Sequence, residues 1–112
     1  MDCLVSFRRA HEAMRLAADE DHESPQARAT RIRQAFQTSG CDEARERLIL
    51  TAAEDVAAAI DASYHSLREV REVLASGCTI TSADYDAARQ AHGDATRAAR
   101  TVLRRDLSSL EA

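Results

Sequence analysis

One line of side chains restricts this chain more than anything else in it. Ile49, Ala53, Val56, Ile60, Ser63, Leu67, Val70 and Leu74 recur in alternating steps of four and three, the spacing that lines one side of an α-helix. The pattern predicts a single helix over residues 42–76, roughly 50 Å long. Gly77 stands where a left-handed residue ends such a helix. A chain of 112 residues has one core, so a rod of this length is buried only by laying others beside it.

Composition supports helix throughout. Alanine is abundant, and the breakers are almost missing, with three glycines and one proline. Two Phe, two Tyr and no Trp leave a sheet without its usual packing residues. The fold class read from these features is all-α, an antiparallel up-down helical bundle forming a single domain over residues 1–112.

The last helix has a defined start. Thr81 is expected to cap it, with Asp84 three residues on, and Ile80 and Tyr85 form a hydrophobic staple. Its seam runs through Tyr85, Ala88, His92, Ala95, Ala99 and Val102, and Leu103, Leu107 and Leu110 close the end. The short connection forces an antiparallel hairpin, with Leu74 near Tyr85, Val70 near Ala88, Leu67 near His92 and Ile60 near Ala99. The alanines of both seams permit close backbone approach, and Gly93 is read as serving the same purpose.

Two seams occupy the N-terminal third: Cys3, Phe7, Ala10, Met14 and Ala17, then Ala29, Ile32 and Phe36, stopping at Gly40. Between them Ser24 as N-cap and Pro25 at the first helical position make a good helix start. Two layouts follow. In the preferred one the first of three long rods is broken or kinked at Ser24 and Pro25, giving rods of about 36, 35 and 30 residues. In the alternative, residues 4–22 and 25–39 fold back on each other and the bundle has four helices. Cys3 distinguishes the two, coming near Cys78 with three rods and near Cys41 with four. Cys41 and Cys78 flank the long helix, too far apart to bridge.

The formal net charge of −4 disfavours nucleic acid as a partner, and no aliphatic run approaches a membrane span. The first residues lack the basic and apolar regions of a signal peptide. Three cysteines without a CxxC pair suggest free thiols in the cytoplasm. All 15 basic residues are Arg, which removes lysine chemistry.

The blocks 7–13 (FRRAHEA), 35–36, 43–53 (EARERLILTAA), 67–77 (LREVREVLASG) and 85–107 resemble uncharacterised actinobacterial Ala/Arg-rich helical-bundle proteins. The resemblance spans nearly the whole chain. It implies a helical bundle with no assigned reaction. Such proteins often carry an arginine-rich or membrane-spanning stretch ahead of the first block, which this sequence lacks.

Candidate chemistry is sparse. Asp19 and His22 make a single Asp-x-x-His, where a di-iron bundle needs Glu-x-x-His twice, so the pair reads as a solvated turn. His92 falls on a helix seam and is expected to approach Ser63 and Leu67, as a hydrogen-bonded core pair that fixes register. Asp61 and His65 read as a surface pair flanking Tyr64, and His11 as a half-buried packing residue beside Phe7 and Met14. Arg89, Arg97, Arg100 and Arg104, with Arg105 adjacent, form a basic stripe interrupted by Asp86, Asp94 and Asp106. No catalytic or metal-ligating residue is assigned, no cofactor is called for, and the chain is not read as an enzyme. The expected function is a non-catalytic interaction or scaffold module that binds a protein partner or self-associates. Part of the motive is a second apolar line, Leu48, Ala52, Ala59 and Val73, which either the N-terminal helices or a second copy would cover. The alternative is a small-ligand or metal-binding bundle, with His11, Met14, Tyr64, His92 and a cysteine around a cavity.

Overall fold

The computed structural model describes residues 3–111, with side chains from Cys3 to Leu107. Leu110, placed at the end of the last seam, lies outside the described side chains. Among the described residues there are five helices: α1 (Cys3–Asp19), α2 (Pro25–Thr38), α3 (Cys41–Thr51), α4 (Glu54–Ala75) and α5 (Ala83–Glu111). They make four legs, because α2 and α3 run in the same direction on either side of a kink at Gly40. The bundle is all-α and up-down, in the four-legged layout rather than the three-rod one.

Two departures produce that result. The first is at Ser24 and Pro25, where the chain reverses instead of kinking. Ser24 caps α2, its Oγ accepting from Ala27 N at 3.0 Å, and α1 and α2 pack along each other. The apolar faces of both helices are buried, including Phe7, Met14, Ile32 and Phe36. A continuous rod would have left one of these faces without a neighbour. The second departure is in the long helix, which breaks at Ala52 and Ala53, both extended at φ −79°, ψ 151° and φ −60°, ψ 155°. There α3 turns back onto α4, so that Asp42 meets Tyr64 and Arg45 meets Asp61. Reversal lets Cys41, Ala44 and Leu48 pack on the core, while Ala53, expected on the buried seam, is exposed. Leu48, Ala52, Ala59 and Val73 are accordingly half-buried against the core of the same chain.

The α4–α5 hairpin has the expected register. Ser63 Oγ lies 2.9 Å from Thr96 Oγ1, and His92 Nδ1 lies 2.8 Å from Ser66 Oγ. Gly77, at φ 111°, closes α4 through bonds from Gly77 N to Leu74 O and from Cys78 N to Val73 O. The cap of α5 is Ser82, not Thr81: Tyr85 N donates to Ser82 Oγ at 3.1 Å, and the helix starts one residue later than expected. Gly93 has no role in helix approach, since the nearest atom to an added Cβ is Arg97 Nη1 at 3.7 Å.

One arginine ties three chain segments together at the end of the bundle that holds Gly77. Arg28 donates to Ala18 O at 3.2 Å, to Leu74 O at 2.6 Å and to Cys78 O at 2.8 Å. These acceptors include carbonyls in the last turns of α1 and α4, where a cation is also favoured by the helix dipole. Cys78 therefore belongs to this end. Cys3 lies at the other, in grooves shared with Ala44, Leu48 and Leu103, as the fold-back layout requires. The molecule measures 55 × 26 × 16 Å, little more than one helix diameter in its thinnest direction, so every leg has a face on solvent.

Candidate functional site

The polar residues of the core gather where α1 crosses the α4–α5 hairpin. His92 is buried, and its Nδ1 lies 2.8 Å from Ser66 Oγ and 3.2 Å from the Ser63 carbonyl. Ser66 Oγ donates to that same carbonyl at 2.6 Å. The hydroxyl proton is thus committed to the backbone, which makes Nδ1 the ring's N–H and Nε2 its acceptor. This polarity is the reverse of what base activation of a serine needs, because the imidazole donates where a general base would accept. The expected partner, the Ser63 hydroxyl, bonds Thr96 instead. His92 thus contacts Ser63 through the backbone and takes its side-chain bond from Ser66, one turn further along α4.

His11 reaches the same place from α1. Its Nε2 is 2.9 Å from Tyr85 Oη, and its ring meets His92 edge-on at 5.7 Å between centroids. Burial pushes both imidazoles below the ordinary histidine range, and each ring's proximity to positive charge adds to the effect. For His11 the largest cause is burial; Glu12 pulls the other way, and Arg15 and Arg89 lower it further. His92 is lowered to about 4, by burial first and then by His11, against the raising effect of its bond to Ser63 O. Two facing neutral histidines were not legible as a pair, since they sit on helices whose contact depends on the reversal at Ser24.

Above them is an open groove of about 200 Å³ between α1 and α5. His11, His92 and Thr96 line its inner part, with Leu4 on one wall and Gly93 beside them. Arg8, Arg97 and Arg100 stand at its mouth, and among the described residues no carboxylate lines it. Arg97 is paired with Asp94. Neither Arg8 nor Arg100 has a carboxylate partner among the described residues.

The remaining sequence candidates are dispersed. His22 Nε2 bonds Ala17 O at 2.7 Å and so caps α1, separate from Asp19 in role. Asp61 pairs with Arg45 at 2.7 Å rather than with His65, whose ring packs edge-on against Tyr64. Tyr64 sits between Phe7 and Phe36, under the Arg45 guanidinium, and its hydroxyl donates to Asp42. Burial, then Asp42, pushes the phenol up to about 12. Met14 is fully buried in the core. Of the residues that the sequence groups around one cavity, His11 and His92 meet on a shared groove, while Met14, Tyr64 and Cys41 belong to the packed core. Among the described residues no group of three His, Cys, Asp or Glu is arranged to hold a metal ion. The basic stripe of α5 is divided as well, with Arg89 on Asp86 and Arg97 on Asp94.

A second groove, of about 450 Å³, opens at the far end of α5. Carrying the Ser63–Thr96 register outward sets Glu54, the first residue of α4, opposite Arg105. The last turns of α5 therefore run past the end of their hairpin partner. Cys3, Leu4, Leu48, Leu103 and Leu107 line the space this leaves, with Arg104 and Asp106 at its rim. Leu107 is 59% exposed. Leu16 and Leu50 are also exposed, and neither lines this groove.

No helix among the described residues is long and apolar enough to cross a membrane. No family model matches the chain, and neither a curated protein nor a solved structure does.

Proposed function

We propose that this chain is a non-catalytic interaction module of the cytoplasm that pairs with a second copy of itself through the protruding end of α5. The observation that carries the reading is the leucine-lined groove of Leu4, Leu48, Leu103 and Leu107 beside a helix that has outrun its partner. An isologous contact lets one surface serve both copies, each α5 end covering the other's groove. The rim suits that arrangement, because Arg104 and Asp106 on one copy offer charges complementary to the same residues on the other. The free cysteines favour a reducing compartment. The acidic net charge and the aspartate-paired arginines of α5 favour a protein partner over nucleic acid. The resemblance to actinobacterial helical proteins adds no reaction to this reading.

Light scattering across a concentration series tests it. The wild-type chain is expected to reach a dimer mass at tens of micromolar, while Leu107→Asp stays monomeric with unchanged helical circular dichroism. A wild-type chain that remains monomeric at millimolar concentration sinks the proposal. A dimer insensitive to Leu107→Asp removes this face from it.

A further inference from the structure

We propose that the groove between α1 and α5 is a binding site for a small phosphate-bearing anion, held by Arg8 and Arg100 over Thr96 and the His11–His92 pair. The chain carries 19 acidic residues against 15 arginines, and many of its arginines have a carboxylate within reach. In this groove Arg8 from one helix and Arg100 from another converge, with no carboxylate of the described residues in the lining. Two guanidinium groups on one concave surface repel each other unless an anion lies between them. Arginine is also the side chain whose planar fork best matches phosphate oxygens.

Thr96 supplies a hydroxyl on the inner wall, and Leu4 an apolar wall suited to the organic part of a monoester. The volume, about 200 Å³, suits a small ligand rather than a peptide. Gly93 points the same way. It sits inside α5, where glycine is a poor helix former, yet an added Cβ would meet only Arg97 Nη1 at an ordinary 3.7 Å. Packing does not demand a glycine there; its effect is to leave the groove open.

The histidines give the site a readable signature. Burial first, then Arg15 and Arg89 at His11 and His11 at His92, disfavours their protonated forms, which an anion over them would favour. The groups facing them are Arg8, Glu12 and Arg15 on α1, Ser63 and Ser66 on α4, and Tyr85, Arg89, Arg97 with its partner Asp94, and Arg100 on α5. Of the two carboxylates, Asp94 is committed to Arg97 and Glu12 to Arg15, leaving a bound phosphate as the main new negative charge.

The experiment is an imidazole titration by NMR on the full chain in inorganic phosphate, in phenyl phosphate and in chloride at matched ionic strength. The expected result is a rise of about one pH unit in the midpoints of His11 and His92 in either phosphate. The rise should be lost in Arg8→Gln/Arg100→Gln and kept in the control Arg47→Gln/Arg68→Gln. A larger rise with phenyl phosphate identifies a phosphomonoester, and equal rises identify free phosphate. Midpoints unchanged from chloride, or a rise that survives in Arg8→Gln/Arg100→Gln, overturn the proposal. It does not rest on self-association. Phosphate binding by a monomer, or a dimer without phosphate binding, would separate the two readings.

Discussion

At the scale of single residues, His92 makes stability depend on pH. An imidazole in the unfolded chain titrates near pH 6.5, whereas in the folded protein His92 takes up its proton only at about 4. Between those values the unfolded state binds the extra proton, so acid favours unfolding. The contribution is therefore complete above pH 6.5 and is lost progressively as the pH falls toward 4. A sealed ring would contribute about 3 kcal/mol over that window. Because His92 borders an open groove, about 2 kcal/mol is expected. Urea unfolding at pH 7 and pH 4.5 measures it, in a buffer free of phosphate. His92→Gln should lower stability at pH 7 by about 1 kcal/mol, from the lost bond, and flatten the decline in acid. A decline as steep in the variant as in the wild type would place the acid sensitivity elsewhere.

At the scale of elements, the reversal at Ala52 and Ala53 is the feature the sequence concealed. Ala53 is the N-cap of α4 with no side-chain bond to offer, although its backbone is already extended as a cap requires. Ala53→Asp should stabilise the protein by about 1 kcal/mol, read as a higher urea midpoint at unchanged slope. In the middle of an uninterrupted helix the same change would destabilise, so the sign of the effect reports the break directly. The boundaries that were legible carry a residue whose backbone preference decides the matter: Gly77 at positive φ ends α4, and Ser24 before Pro25 starts α2, although the reversal at that start was not read from it. Alanine has no such preference. It continues a helix or leaves it at small cost, and here the decision was made by what α3 gains in folding back onto Tyr64 and α1. The acidic pair Glu54 and Asp55, in the first turn of α4, was the available hint, since carboxylates favour a helix start. The α4–α5 register, by contrast, was legible to the residue, because its short turn and two seams leave one alignment. His92 could therefore be placed, but His11 could not be placed against it until the path of α1 was known.

At the scale of the whole molecule, stability is distributed unevenly. The α4–α5 hairpin carries an unbroken buried seam from Val56 to Leu74, while Cys41 is the fully buried residue of α3. Native-state hydrogen exchange should show α3 opening at least tenfold more readily than the centre of α4, about 1.4 kcal/mol lower in free energy. Equal protection would mean that the two helices open as one unit. The bond between His11 and Tyr85 spans 74 residues of sequence, the length that must be made before α1 finds its place on the hairpin. At ribosomal speeds that is roughly 4–15 s. Early in that interval α2 is the first helix available to cover the apolar side of α1, before α3 and α4 join it, which gives the reversal at Ser24 and Pro25 a second use. A nascent three-rod protein would emerge with Phe7 and Met14 bare; this one shelters them on Ile32 and Phe36 while the rest of the chain is still being synthesised.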